Sequence, residues 1–293
     1  MADRFTLETP IWADELATAV AAAQEAGELL RRGFRQPTRE RRKGSHDVVT
    51  ALDLASERLI MGRLGSRFPT DARLGEETGL SVPTLRQRPD GARTWIVDPL
   101  DGTVNFASGI PFWCVSIALA VDGQVVVGVI ADPLRDELYG AVRGQGAWRL
   151  GDGVRLEVRR ICRVADAVVL ADPGRADDRE ADERVAVIRS RVRSVRALGS
   201  VALSLTLLAS GRVDGVVQVR GLGAVDIAAA GLLASEAGAV LTDAEVGPWL
   251  VVAEPNRGTG IVAARSGLHR VIRGPGHAGH LEASPQAGSP SSK

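Results

Sequence analysis

The sequence predicts a mixed α+β and α/β protein, with an antiparallel meander in its first half and alternating strands and helices in its second. Three observations predict it. Across residues 112–142, apolar runs are punctuated by the turn pairs Asp122-Gly123 and Asp132-Pro133, which reads as strand, turn, strand, turn, strand. Across residues 167–242, strand-like and helix-like segments alternate. Ahead of both, Leu16, Val20, Ala23, Gly27, Leu30 and Phe34 recur at spacings of three and four, the stripe of an amphipathic helix.

Thr9-Pro10 supplies an N-cap and a first-turn proline for that opening helix. After a basic stretch at 39–43, Thr50 is the expected N-cap of a second helix, which Pro69 stops near Phe68. Residues 73–90, with Gly75, Gly79, Pro83 and Pro89, read as loop. Thr94-Trp95-Ile96-Val97 is a short buried strand that ends on Asp98-Pro99. The meander strands are expected at 113–121, 124–131 and 137–142, and the four glycines of 144–153 mark a seam between halves. Beyond it, strands are expected at 167–171, 194–198, 213–219 and 240–242. Helices are expected at 178–191, 200–209 and 227–237, the last closed by Gly238 as a left-handed cap. The expected organisation is an N-terminal α+β half at 1–146, a C-terminal α/β half at 147–273, and a Gly/Pro/Ser-rich tail at 274–293 expected to be disordered.

Composition narrows the function. The 293 residues are 45% apolar and 25% charged, the mix of a soluble globular chain long enough for one large domain or two ordinary ones. Thirty-six Lys+Arg balance 36 Asp+Glu, which argues against nucleic-acid binding by bulk charge and against a polybasic membrane surface. The first 20 residues carry acids and no apolar h-region, and no apolar run approaches the roughly 20 residues that span a bilayer. The expectation is a cytoplasmic protein that meets a small molecule rather than a membrane or a nucleic acid. Cys114 and Cys162 stand alone, and three of the four histidines fall in the last 25 residues, so neither a disulfide scaffold nor a His/Cys metal cluster is expected. No G-x-S-x-G, Walker or G-x-G-x-x-G string is present. The chemistry falls to carboxylates.

The most informative string is Trp95-Ile96-Val97-Asp98-Pro99-Leu100-Asp101-Gly102-Thr103-Val104-Asn105-Phe106. A buried strand delivers two carboxylates, three residues apart, into a turn shaped by Pro99 and Gly102. Oxygen ligands held so close suit a hard divalent cation such as Mg²⁺. Gly102-Thr103 opens the next short helix, whose free N–H groups can grip a phosphate. Singly, the other acids have plain structural readings. Gly75-Glu76-Glu77 is a solvated loop, Asp53 completes a capping box with Thr50, and Asp226 is an N-cap. An aspartyl-phosphate mechanism requires D-x-D-G-T, and the spacing here, Asp98-x-x-Asp101-Gly102-Thr103, is one residue longer.

Together these pieces carry a resemblance. WIVDPLDGTVNF, the upstream Gly75-Glu76-Glu77, KGSHDVVTALD (43–53) and VDIAAAGLLASEAGAVLTD (225–243) are similar to the signature regions of the inositol monophosphatase family, over residues 12–269. The resemblance implies a layered α-β-α-β-α sandwich and a Mg²⁺-dependent phosphomonoesterase acting on a small phosphorylated metabolite, with homodimers common. It implies that Glu76, Asp98, Asp101 and Asp226, with the Leu100 carbonyl, hold two or three Mg²⁺ ions. It implies that Asp53 and Thr103, with Glu76, activate the attacking water. Gly102 and Thr103, with Asp101, would contact the substrate, and Lys43 and Asp47 would lie on a mobile lid.

The charges agree with that assignment. Asp53, Glu76, Asp98, Asp101 and Asp226 converging on one place repel by roughly 4 kcal/mol per pair at ~4 Å, so cations are structurally required as well as chemically useful. The family's typical acidic residue before the second-signature aspartate is replaced here by Val219, and its tryptophan by Val225; Arg220 is placed to meet an anionic substrate group instead. Inositol 1-phosphate is the expected substrate. Fructose 1,6-bisphosphate, histidinol phosphate and phosphoadenosine phosphate, which relatives of the fold hydrolyse, are the alternatives, and a non-catalytic metal or phosphate binder is the alternative of another class. Trp113, Trp148 and Cys114 are expected to be packing residues.

Overall fold

The structure, a computed structural model, describes residues 11–36, 40–42, 48–81, 91–172, 178–245, 247–255 and 257–273, with backbone alone at 40–42, 48–50 and 259. The Thr9-Pro10 start, Lys43, Asp47 and the tail from 274 onward lie outside the described residues.

Helices α1 (Ala13–Gly33) and α2 (Ala51–Arg67) form the first layer, with the hairpin β1 (Glu40–Arg42) and β2 (Val48–Thr50) between them in the chain. Helix α1 buries Ala19, Ala22, Ala23, Ala26, Gly27 and Leu30, small side chains at helical spacing that let it lie close to the sheet below. That sheet has eight strands, β3 (Ala72–Gly75), β4 (Gly79–Ser81), β5 (Arg93–Asp101), β6 (Cys114–Val121), β7 (Gln124–Asp132), β8 (Glu137–Val142), β9 (Gly146–Arg149) and β10 (Val154–Arg155). Its order is β10-β9-β8-β7-β6-β5-β3-β4, and only β3 and β5 run parallel. The meander is as the sequence predicts. It also continues: β9 crosses the expected boundary at 146, and the first sheet ends only at Arg155.

Helices α3 (Thr103–Ala107), α4 (Arg179–Arg189), α5 (Val201–Ala209), α6 (Ala224–Glu236) and α7 (Ser266–Ile272) complete the helices. The second sheet has the order β12-β11-β13-β15-β14, from β11 (Val168–Asp172), β12 (Ser194–Arg196), β13 (Gly215–Leu222), β14 (Val240–Thr242) and β15 (Thr259–Ala264). Strand β15 and helix α7 have no counterpart in the sequence reading, because Thr259–Ala264 is a short apolar run that periodicity cannot assign.

Three cores lie between five layers. Trp95, Val97 and Ile117 of the first sheet meet Leu30 of α1 and Ile60 and Leu64 of α2. On the opposite face, Ile96, Ala118 and Ile130 meet Leu203 of α5 and Ile227 and Leu232 of α6, which continue to Val216 and Ile261 of the second sheet. Val217, Val219 and Val262 face outward onto Val185 and Ile188 of α4 and Leu268 and Ile272 of α7. Residues 95, 96 and 97, like 216 and 217, thus alternate between two covered faces, as the two-residue period of a strand demands. The architecture is α-β-α-β-α. Helices α5 and α6 are apolar nearly all round because a sheet covers each side.

Candidate active site

Strand β5 is buried along residues 94–101, and its C-terminal end is where side chains from four other elements arrive. The parallel pairing of Gly75 with Val97 sets Glu76 beside Asp98, and the Glu76 N–H donates to the Val97 carbonyl at 3.2 Å. The expected loop at 73–90 therefore begins as a strand, β3, and that strand aims Glu76. Pairing of β5 with β6 slips after Asp98, so that Asp101 stands opposite Cys114 with Pro99 and Leu100 bulged out. Asp98 Oδ1 accepts the Leu100 N–H at 2.9 Å. Asp101 Oδ2 accepts the Ala202 N–H at 2.8 Å and the Ser200 hydroxyl, with Cys114 Sγ at 3.8 Å.

Gly102 follows with φ 93°, a left-handed conformation, and a Cβ there would lie 3.0 Å from the Phe112 carbonyl oxygen. Glycine alone allows the chain to turn from β5 into α3. The first residue of α3 is Thr103, whose hydroxyl lies 3.2 Å from Asp53 Oδ1 and 3.0 Å from the Leu100 carbonyl oxygen. Asp53 is fully buried, so it does more than cap its helix. Asn105 Nδ2 donates to the carbonyls of Phe112 and Leu198, both at 2.7 Å, and so ties the turn to the segment that carries Ser200.

A further acid comes from the helix that follows β13. Helix α6 begins at Ala224, earlier than the expected 227, with Gly223 as N-cap. Asp226 is accordingly inside the first turn, not the N-cap, and its Oδ2 accepts the Gly223 N–H at 2.5 Å. Burial first, then the charges of Asp101 and Glu76, push its carboxyl up to about 7. Burial, followed by the charges of Glu76, Asp101 and Asp226, drives Asp98 well above the carboxylate range. Burial also raises Asp101, against the hydrogen bonds from Ser200 and Ala202. Four acids from three parts of the chain thus feel one another.

None of Asp98, Asp101 and Asp226 has an arginine or lysine partner among the described residues. Buried oxygen anions without a protein cation fit a hard divalent ion. The fit is one of donor type and charge, since among the described residues no three His, Cys, Asp or Glu side chains close on a single ion position. Arg220, expected at the substrate, is engaged elsewhere: its guanidinium pairs with Asp178 at 3.0 Å and with Glu180, at the start of α4. Ser56, Glu57, Asn105 and Ser200 were not singled out as site residues in the sequence. Ser56 and Glu57 had a legible signal, two polar residues in register with Asp53 on a helix face that continues to the buried Ile60 and Leu64.

Fold and site together define a five-layer protein that gathers buried oxygen anions and a hydroxyl where β5 turns into α3. The model of the "Inositol monophosphatase family" matches residues 12–274. "Inositol monophosphatase 2" of Solanum lycopersicum is 38% identical over 229 residues, 77% of this chain and 85% of that protein. "Inositol-1-monophosphatase" of Mesorhizobium japonicum is 39% identical over 237 residues, 79% and 86% of the two chains. The crystal structure of the extragenic suppressor protein suhB of Bartonella henselae superposes with a TM-score of 0.80 at 32% identity, covering 89% of this chain and 97% of that one. The chain belongs to the inositol monophosphatase family and is a phosphoric monoester hydrolase. Among the described residues, no helix is long and apolar enough to cross a membrane.

Proposed function

We propose that the chain hydrolyses the phosphomonoester of a small polyol, inositol 1-phosphate first, with Mg²⁺. The observation that carries the reading is the Thr103–Asp53 contact at 3.2 Å, set beside the buried carboxyls of Asp98, Asp101 and Asp226, which have no arginine or lysine partner among the described residues. Glu76, Asp98, Asp101, Asp226 and the Leu100 carbonyl would hold the two or three ions. Bound there, they would neutralise the phosphate, acidify a water and stabilise the leaving alkoxide.

The protein's own groups do the rest. The Thr103 hydroxyl accepts a hydrogen bond from the attacking water and passes its own proton toward Asp53, which is buried behind it. Glu76, on the open side of the site, is the second acceptor for that proton. The N–H groups of Gly102 and Thr103, at the start of α3, orient the phosphate oxygens. Arg220 would exchange its α4 carboxylates for an anionic group of the substrate, which favours substrates that carry one.

The reading is tested by phosphate release from inositol 1-phosphate, fructose 1,6-bisphosphate, histidinol phosphate, phosphoadenosine phosphate and glycerol 2-phosphate, each with Mg²⁺ and with EDTA. Turnover with Mg²⁺ that EDTA abolishes supports it, and the preferred substrate names the branch. Turnover undiminished in EDTA, or none on any substrate, overturns it.

A further inference from the structure

Helix α2 buries three polar side chains on one face, Asp53, Ser56 and Glu57, at positions i, i+3 and i+4. Each of them finds a different piece of the site. Asp53 meets Thr103. The Ser56 hydroxyl donates to the Pro99 carbonyl at 3.0 Å, between Asp98 and Leu100. Glu57, only 1% exposed, accepts the N–H of Glu77 at 2.8 Å and the N–H of Thr78 at 3.0 Å, one on each carboxylate oxygen.

With the Glu76 N–H already on Val97, three consecutive amides are fixed, two of them by Glu57. Gly75 leaves room for this arrangement. A Cβ at Gly75 would lie 2.6 Å from Glu57 Cδ and 2.7 Å from Oε1. Glu76 itself is exposed and stands at the end of a four-residue strand, so its direction depends on what holds the turn behind it.

We propose that Glu57 is the positioning residue for Glu76: by gripping the two amides that follow, it aims the Glu76 carboxylate at Asp98. This assignment rests on the cation-dependent reading above. A carboxylate is needed because both oxygens accept. Glutamine offers one acceptor and turns an NH₂ group toward the second amide, leaving that N–H unpaired. Groups that orient a metal ligand typically change metal affinity about 10- to 100-fold when removed.

The test is a titration of Mn²⁺ into the full chain, read as free Mn²⁺ by electron paramagnetic resonance, for wild type, Glu57→Gln and Gly75→Ala. Melting temperature and phosphate release across a range of Mg²⁺ accompany it. Both variants are expected to raise the Mn²⁺ Kd about tenfold. They are expected to regain wild-type kcat at saturating Mg²⁺ with the phosphoester KM unchanged. Gly75→Ala crowds the same carboxyl, and Met61 Cε beside it, and decides the question where Glu57→Gln does not fold. Wild-type Mn²⁺ affinity in both variants overturns the assignment and leaves the functional reading standing. A wild-type chain that binds no Mn²⁺ overturns both.

Discussion

Two strand-to-helix junctions deliver aspartates to the same place, and they are built differently. At the β5–α3 junction, Asp101 is held by groups almost a hundred residues away, the Ser200 hydroxyl and the Ala202 N–H, while Ser56 holds the Pro99 carbonyl from the other side. At the β13–α6 junction, Asp226 is held by its own neighbour, the Gly223 N–H, and the register of β13 against β15 shifts between Gln218 and Leu222. The carboxylate at the first junction is clamped by tertiary contacts, and the one at the second by the N-cap amide of its own helix. Carboxylates at the first should be both chemical and structural, and the carboxylate at the second chemical only.

The sharpest way to break this contrast is a pair of substitutions. Asp101→Leu, close in shape, removes the charge together with the Oδ2 that accepts from both the Ser200 hydroxyl and the Ala202 N–H, so we expect phosphate release to fall about 10³-fold and the metal-free protein to lose about 2 kcal/mol. Asp226→Asn keeps an oxygen for the Gly223 N–H and removes a charge that burial already opposes. Its turnover should fall as steeply, while its melting temperature in EDTA stays at or above that of wild type. A destabilised Asp226→Asn would erase the distinction. The next largest effect belongs to the stitch between the two halves. Asn105→Ala leaves the buried Phe112 carbonyl and the half-buried Leu198 carbonyl without this donor, at about 1–3 kcal/mol for the first and less for the second. Melting temperature and kcat should fall together, because residue 198 leads directly to the Ser200 clamp.

These same contacts show what the sequence could reveal. WIVDPLDGTVNF was legible because strand, turn and helix start are encoded within twelve residues, and each acid sits at a position that local chemistry specifies. The meander was legible for the same reason, through its turn pairs. Glu76 as the product of a strand was not, because β3 has four residues and its partner β5 lies beyond the segment read as loop. Asp226 looked like an N-cap because helix propensity begins at Ile227; the actual start at Ala224 follows from the Pro255 carbonyl accepting the Ala224 N–H at 2.7 Å, a tertiary contact. Ser200 read correctly as a helix start, and nothing local shows that its hydroxyl also reaches Asp101.

Arg220 sharpens the comparison from the substrate side. Its ion pairs with Asp178 and Glu180 are more than half exposed on the arginine, so Arg220→Ala should change stability by less than about 1 kcal/mol. If the second junction serves substrate choice, the variant should lose about tenfold in kcat/KM on a bisphosphate, roughly one exposed charge contact, and nothing on a substrate with a single phosphate. An equal loss on both classes would return Arg220 to a purely structural role.

The smallest expected effect lies away from both junctions, where the halves are joined by charge alone. Arg212, after α5, donates to both oxygens of Glu137 on β8, and the Tyr139 hydroxyl donates to Oε2 at 2.6 Å. The hydrogen bonds from Arg212, foremost, and from Tyr139 hold the Glu137 carboxyl below its ordinary value of 4.5. A lowered folded-state value contributes stability above that ordinary value, and the contribution disappears as pH falls through the lowered one. Glu137→Gln should therefore melt lower than wild type near neutral pH, by the equivalent of about 0.5–1 kcal/mol, and the two curves should converge in acid. High salt should narrow the gap at neutral pH, because Arg212 is about one-third exposed. A gap that persists unchanged into acid would mean that Glu137 acts through packing and the Tyr139 hydrogen bond, and that its ion pair with Arg212 adds nothing to the joining of the halves.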